Sequence, residues 1–255
     1  MKRHFISKLE NEINLNSEFS EKKLLDFCHV SFGKYFNNLV KVGKLVPREC
    51  DIFKEKLLYF SYGVPYYKPR NMQTENALEF PIAFIFKIDA FKNIIDYFPF
   101  DTGCIYSSRI SGLSGKGFEP PNDFCIHSNP EKLVSCFYKT NENYLKGIIR
   151  KDNIPKGIII EKIITYLSAN YSSQGIDNRQ RTIECIYKDE LNIKSNLLWL
   201  AFPDFLTKKA SILWDKSDAF EYYSYPTETN ENPAHLATHI AKKAKEIFKY
   251  KYQKP

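Results

Sequence analysis

Three residues that can do chemistry stand inside apolar, strand-like runs of the sequence. His29 lies in DFCHVSF, Tyr59 in LLYFSY and Glu184 in TIECIY. An imidazole can donate and accept hydrogen bonds at once, and the face of a tyrosine ring attracts cations. A carboxylate on a strand needs a partner when it is buried. These three positions are therefore the first candidates for a functional site.

The surrounding pattern predicts the elements that hold these positions. Runs rich in aromatic and β-branched residues predict strands, and apolar residues at helical spacing predict helices. Polar stretches at 101–123 and 170–181 predict long loops. We expect strands at 24–31, 57–62, 81–88, 133–140, 182–187 and 197–202, and helices at 33–45 (ending at Gly43), at 141–150 (capped by Asn141), at 157–169 and from Pro233 (capped by Asn232).

The order of these elements indicates the fold class. Helices and strands do not alternate regularly, so we expect an α+β fold with a mixed sheet and flanking helices. A chain of 255 residues fits one large domain. We divide it into a helical lead-in at 1–23, a single domain at 24–232 and a basic amphipathic helix at 233–255.

The net charge of +7 is concentrated at one end of the chain. The segment 233–255 contains six lysines and one glutamate, so most of the surplus lies there. The charge alone therefore does not indicate a nucleic-acid-binding surface on the rest of the chain. The apolar stripe of this helix suits its own domain or a dock for an antitoxin or chaperone, and the sequence leaves both open.

Cysteine usage and hydropathy indicate the compartment. The six cysteines never form Cys-x-x-Cys, no stretch is long and apolar enough to span a membrane, and the first residues lack a signal-peptide pattern. We therefore expect a cytoplasmic protein with reduced thiols and no membrane partner. Cys125 and His127 could share a metal ion, but no second pair stands at ligand spacing, so no metal is expected.

Taken in order, several segments resemble the ADP-ribosyltransferase superfamily. They are HVS at 29–31, NLVKVGKL at 38–45 and LYFSY at 58–62, followed much later by Glu184. The arrangement is most similar to the branch that contains DarT-type toxins, and to related phage-defence transferases. The resemblance implies a split mixed sheet with flanking helices, and NAD as co-substrate.

The resemblance also implies roles for individual residues. Glu184 would be catalytic, because a carboxylate beside the ribose stabilises the positive charge that builds as nicotinamide leaves. His29, with Ser31 on the same strand face, would bind the adenosine-side ribose. The nicotinamide would lie against Tyr59, with Tyr62, Tyr66 and Tyr67 as further cofactor contacts and Arg70 near the pyrophosphate. Strand alternation places Tyr62 on the opposite face from Tyr59 unless a bulge intervenes.

The residues before Glu184 bear on the acceptor. Transferases that modify arginine carry Gln or Glu two positions before the catalytic glutamate, where this chain has Thr182. Arg179 and Arg181 could instead hold phosphates in a bidentate manner. We therefore expect a nucleic acid acceptor, RNA or single-stranded DNA, and a toxin or anti-phage role.

Other interpretations remain open at this stage. The protein could hydrolyse NAD or modify a protein, or it could be a non-enzymatic binding module that uses its basic C-terminal helix. Glu184 could instead lie on a solvent-exposed face and pair with Arg181 or Lys188. His29 could be a half-buried strand residue with a backbone partner, and the tyrosines could serve packing alone.

Overall fold

The computed structural model describes residues 6–14, 24–65, 76–92, 94–103, 123–168, 178–214, 220–227 and 232–252. The strands in this part of the chain are β1 (Phe27–Phe32), β2 (Lys44–Leu45), β3 (Arg48–Glu49), β4 (Lys56–Tyr62), β5 (Pro81–Phe86), β6 (Ile94–Phe98), β7 (Glu184–Tyr187), β8 (Leu191–Asn192), β9 (Leu197–Pro203) and β10 (Glu221–Tyr225). The helices are α1 (Lys8–Asn14), α2 (Gly33–Val42), α3 (Pro130–Tyr138), α4 (Asn141–Lys146), α5 (Ile158–Ser168), α6 (Ile193–Asn196), α7 (Thr207–Trp214) and α8 (Pro233–Tyr252).

One mixed sheet forms the centre of the fold. Its strands lie in the order β10-β9-β5-β1-β4-β7-β6, and β3 adds to β4 outside this path. The pair β9–β10 is parallel, and the other pairs along this path are antiparallel. The strands β2 and β8 form a second, two-stranded sheet. The predicted α+β class with a mixed sheet and flanking helices is confirmed.

The central sheet forks between β1 and β4. Strand β1 pairs with β5 along its whole length, from Phe27 to Phe32. It pairs with β4 only at Phe27 and Cys28, opposite Tyr62 and Ser61. From His29 onward β1 therefore follows β5 and separates from β4, which opens the sheet into two halves at the position of the first candidate residue.

The segment that we expected to be a separate lead-in is part of this domain. Leu9 and Ile13 of α1 are buried in the common core. The Glu12 carboxylate accepts hydrogen bonds from the backbone N–H groups of Ile159 and Ile160, each at 3.0 Å, in the first turn of α5. A carboxylate at a helix N-terminus satisfies N–H groups that have no intrahelical partner.

The C-terminal helix α8 begins at Pro233, as the Asn232-Pro233 pair predicts. Its apolar stripe is buried in the core of its own domain, with Ala244 and Phe248 almost inaccessible to solvent. The ring of His239 stacks on Tyr223 of β10 at a centroid distance of 5.8 Å. The stripe is therefore covered by the domain, and it is not a free docking surface.

Helix α2 agrees closely with its prediction, whereas the region after residue 129 does not. The helix ends at Val42, and Gly43 adopts the left-handed conformation with φ 72°. Residues 133–140, predicted as a strand, belong mainly to α3, because Pro130 occupies its first turn and the Asn129 side chain caps it. The cap of α4 is Thr140 rather than Asn141.

Parts of both predicted loops, 104–122 and 170–177, lie outside the described residues. The strands β6 and β10 and the helix α7 were not predicted. Among the described helices, none has the length and apolar character that crossing a membrane requires.

Candidate functional site

Glu184 is the first residue of β7 and lies between two other strands. It pairs with Ser61 of β4 on one side and with Phe98 of β6 on the other. Its side chain is buried, and its Oε2 accepts hydrogen bonds from the hydroxyl of Thr102 at 2.6 Å and from the backbone N–H of Thr102 at 3.1 Å. Oε1 accepts no hydrogen bond from the described residues, so this oxygen can accept one from a ligand hydroxyl.

The surroundings of Glu184 favour its protonated form. Burial raises the pKa of its carboxyl group well above the usual value, and the negative charge of Asp101 raises it further. The two hydrogen bonds from Thr102 act in the opposite direction. A cation bound beside this carboxyl would favour the ionised form, so ionisation of Glu184 is coupled to the arrival of positive charge.

Tyr59 lies on the same face of the sheet as Glu184. It pairs with Ile186, two residues along β7 from Glu184, and side chains two residues apart share a face. Its hydroxyl donates to the Sγ of Cys50 at 2.6 Å. Burial is the main cause that raises the pKa of Tyr59, and the charges of Glu184 and Asp101 contribute to it. The phenol therefore stays neutral beside the two acids.

His29 lies at the fork, where the backbone of β1 no longer pairs with β4. Its side chain contacts β4 instead. Its Nδ1 lies 2.9 Å from the carbonyl oxygen of Tyr59. A carbonyl only accepts, so Nδ1 carries the proton and Nε2 is an acceptor in the neutral ring. Burial lowers the pKa of His29 against the opposing effect of the Tyr59 hydrogen bond, and the charge of Arg48 lowers it further. The ring is therefore neutral near pH 7.

The His29 ring and the Tyr59–Glu184 pair approach the fork from opposite sides. The imidazole packs beside Phe60 and Phe84, at centroid distances of 5.5 and 6.4 Å. Phe60 is adjacent to Tyr59 in β4, and adjacent strand residues point to opposite faces. Ser31 lies two residues beyond His29 in β1, and it is half-buried. A ligand that meets both groups must reach through the opening between β1 and β4.

Tyr62 is part of the core, and its expected role in binding stays a prediction. Its side chain is fully buried, and its hydroxyl accepts a hydrogen bond from the backbone N–H of Leu25 at 2.9 Å. Strand β4 runs to Tyr62 without a bulge, so Tyr62 faces away from Tyr59 as the alternation predicts. Three other expected contacts, Tyr66, Tyr67 and Arg70, lie outside the described residues.

Arg181 uses its guanidinium group to stabilise the fold through hydrogen bonds to backbone carbonyls. Its Nε donates to the carbonyl of Leu167 at 3.1 Å, and its Nη1 donates to the carbonyl of Gly147 at 3.3 Å. These contacts join the ends of α5 and α4. Thr182 is buried two residues before Glu184. Arg179 lies in a short 3₁₀ turn over Asn178–Arg181, and its side chain is outside the described set.

The structure adds Asp101 and Thr102 to the candidate site. Both follow β6 at the start of a stretch that the composition identified only as a loop. Because β6 was not predicted, nothing in the sequence placed these residues beside Glu184. Two polar residues directly after the apolar run YFPF are the signal that could have indicated a strand end at the site.

A positively charged group with an aromatic centre lies near His29. The exposed ring of Tyr35 has the Nζ of Lys34 at 5.2 Å and the guanidinium carbon of Arg48 at 5.1 Å. Arg48 is also the residue whose charge acts on His29. Cations over an aromatic face are held in position while their outer N–H groups remain available.

Comparison with known proteins gives limited information. No protein-family model matches the chain, and no curated protein matches it. A solved structure of DarT from Thermus sp. 2.9 in complex with NAD+ is similar over 81% of this chain and 100% of that chain, with 8% sequence identity and a TM-score of 0.40. This similarity does not assign the chain to a family. The fold and the site themselves define an α+β protein with a forked mixed sheet and a buried carboxyl group beside the fork.

Proposed function

We propose that this protein is an ADP-ribosyltransferase that cleaves NAD and transfers ADP-ribose to a nucleic acid. The observation that carries the proposal is the placement of Glu184. Its carboxyl group is fixed through one oxygen by Thr102, stands beside Asp101 and shares a sheet face with Tyr59. Two acids and an aromatic ring at one place suit a reaction whose centre becomes cationic.

The reaction can be derived from these groups. The bond between nicotinamide nitrogen and ribose carbon breaks, and the electron pair leaves with nicotinamide. Positive charge then builds on the ribose, as in glycoside hydrolysis. Oε1 of Glu184 accepts a hydrogen bond from a ribose hydroxyl, and the negative field of Glu184 and Asp101 stabilises the charged sugar. The acceptor then attacks the same carbon and loses a proton.

The other candidate residues bind the remainder of NAD in this proposal. The cationic pyridinium ring lies against Tyr59. The Nε2 of His29 accepts a hydrogen bond from a hydroxyl of the adenosine-side ribose, since its Nδ1 is already used at the fork. Among the described residues, Arg48 and Lys34, which flank the Tyr35 ring, would hold the pyrophosphate, and Arg70 stays a prediction for the same role.

The nucleic acid acceptor draws support from a basic pocket. A cavity of about 520 Å³ is lined by Lys41, Lys44, Lys194 and Lys209, and the described residues of its lining include no acid, although Glu190 pairs with Lys44. Lysines in such a pocket attract a phosphate backbone without regard to base sequence. Arg181 no longer contributes to this argument, because its guanidinium group is used by backbone carbonyls. We further propose a toxin or anti-phage role, which implies that expression of the active protein arrests growth.

The central experiment measures nicotinamide release and oligonucleotide mass after incubation with NAD and single-stranded RNA or DNA. We expect both signals from the unaltered protein, and a loss of about 100-fold or more in Glu184→Gln. Glu161→Gln is the matched control, because Glu161 is an exposed acid of α5 that belongs neither to the Glu184 contacts nor to the lining of the basic pocket. Release of nicotinamide without an adduct would identify NAD hydrolysis, and adducts on added proteins would identify a protein acceptor. Neither signal from the unaltered protein would refute the proposal.

A further inference from the structure

A second group of chemically active side chains lies at the edge strand β6, apart from the Glu184 contacts. Asp96, Cys125 and His127 each bring one potential ligand atom, and these atoms all lie within 4.8 Å of one another. The thiol of Cys125 is buried, and the other two side chains are largely buried. The proposed transferase reaction does not use any of them.

Backbone pairing explains why these residues meet. Tyr97 and Ile126 exchange two backbone hydrogen bonds, each at 2.9 Å. The residues that flank this pair are therefore neighbours across the ladder, which places His127 opposite Asp96. Cys125 is two residues from His127 on an extended segment, so both side chains share a face. The sequence pair Cys125–His127 thus gains a third group that stands much earlier in the chain.

The distances suit a small metal ion after a minor adjustment. The Sγ of Cys125 lies 4.0 Å from the Nε2 of His127. Zinc bonds of about 2.3 Å to sulfur and about 2.0 Å to nitrogen in tetrahedral geometry set these atoms roughly 3.5 Å apart. The Nδ1 of His127 lies 2.6 Å from Asp96 Oδ1. A carboxylate on one ring nitrogen orients a histidine so that its other nitrogen can bind metal.

The local charge also favours a cation. The buried Glu10 of α1 accepts a hydrogen bond from the backbone N–H of His127 at 3.2 Å. The carboxylate of Asp96 contacts the ring of the same histidine. Two acids therefore lie close to this group, and a divalent ion would compensate their negative charge.

We propose that Cys125 and His127, with Asp96, form a binding site for a divalent transition-metal ion, with zinc as the best match. Thiolate and imidazole are ligands that zinc takes in proteins, and Asp96 orients the imidazole through its other ring nitrogen. The ion would fasten α1, β6 and the segment 123–127 together, because Ser7 and Glu10 of the N-terminal segment already contact this segment. The role is structural, and it does not depend on the proposed transferase activity.

The experiment uses the full chain, purified without chelator, with metal content measured by mass spectrometry. We expect close to one zinc per chain, and a cobalt-substituted form with a thiolate-to-cobalt charge-transfer band. Cys125→Ser should abolish the band and weaken zinc affinity at least 10-fold, and Asp96→Asn should weaken it about 10-fold. Cys136→Ala, which removes a buried thiol from α3, is the control that should keep both signals.

Two outcomes would overturn this proposal. One is a metal content that is lost on gel filtration or that stays unchanged in Cys125→Ser. The other is a folded, metal-free protein whose melting temperature does not change when zinc is added. His127→Gln, checked by circular dichroism, provides a second ligand variant where Cys125→Ser fails to fold. Because metal content is measured directly, these results do not depend on whether the protein cleaves NAD.

Discussion

Thr102 donates both its hydroxyl and its backbone N–H to a single oxygen of Glu184, which lies 82 residues further along the chain. The side chain of Glu184 therefore cannot rotate freely, and its second oxygen has a fixed direction. The same two hydrogen bonds oppose the rise in the pKa of Glu184 that burial and Asp101 cause. Thr102 thus positions the acid and controls its ionisation.

Replacing Thr102 tests this control. Thr102→Val keeps the shape of the side chain but removes the donor at 2.6 Å, so the pKa of Glu184 should rise. Because the proposed reaction uses the ionised form, the acidic limb of the pH profile of kcat/KM should move to higher pH, and activity near pH 7 should fall about 10-fold. Thr102→Ser keeps the hydroxyl and should restore the original profile. An unchanged profile in the valine variant would contradict this role.

The raised pKa of Glu184 also predicts a pH-dependent stability. The folded state binds this proton more tightly than the unfolded state does. The contribution of Glu184 to the free energy of unfolding is fully present below the unfolded pKa of about 4.3. It is lost as the pH rises through the pKa of the folded state. Glu184→Gln should therefore be more stable than the unaltered protein at pH 7 to 8 by about 1–2 kcal/mol. Thermal unfolding should show a difference of roughly 2–8 °C that vanishes near pH 4.

Substitutions can separate the two functions of His29, which are the contact of Nδ1 with Tyr59 and the proposed contact of Nε2 with NAD. Asparagine can donate to the Tyr59 carbonyl as Nδ1 does, but it lacks an equivalent of Nε2. His29→Asn should keep its melting temperature and raise the KM for NAD about 10-fold, the value of one hydrogen bond. His29→Phe leaves the carbonyl without its donor and should also lose about 1–3 kcal/mol of stability. Equal KM values in both variants and the unaltered protein would exclude a ligand contact.

Tyr59 should act through its ring rather than its hydroxyl. Tyr59→Phe removes only the contact with Cys50 Sγ, so the KM for NAD should change little. Tyr59→Leu removes the aromatic face and should raise the KM about 3- to 30-fold, since a cation–π contact contributes about 0.5–2 kcal/mol. Steady-state kinetics on both variants checks this, and a larger effect from phenylalanine would show that the hydroxyl contacts NAD.

Arg181 and the lysine pocket should respond differently to substitution. Arg181→Lys loses the fork that reaches two carbonyls and should cost about 1–3 kcal/mol of stability without a change in the salt dependence of oligonucleotide binding. Lys209→Ala should leave stability unchanged and reduce the slope of log affinity against log salt by about 1. A reduced slope in the Arg181 variant would restore its predicted role as a phosphate contact.

Local signals made the elements with the strongest patterns predictable. Gly43 ends α2 and Asn232-Pro233 begins α8 because each position has a backbone geometry that these residues favour. Apolar runs located the strands that carry His29, Tyr59 and Glu184. The strand predicted at 133–140 is wrong, because the cap from Asn129 and Pro130 in the first turn begin a helix there.

Contacts between distant parts of the chain could not be predicted in this way. The roles of Thr102 and Asp101 depend on β6, which was not recognised. Arg181 had the composition of a phosphate contact, and only the folded positions of Leu167 and Gly147 reveal its actual partners. The Asp96 contact with His127 likewise requires the ladder between Tyr97 and Ile126.

The pairing of the central sheet has a consequence for the timing of folding. Ser61 of β4 pairs with Glu184, and Ala83 of β5 pairs with Ala201, so both halves of the fork are completed by strands that follow more than a hundred residues later in the sequence. Contacts between residues so far apart in sequence slow the folding of a domain. A ribosome-bound fragment that stops before β7 lacks Glu184 and its strand, so in the proposed function the nascent chain would be inactive until β7 has been synthesised.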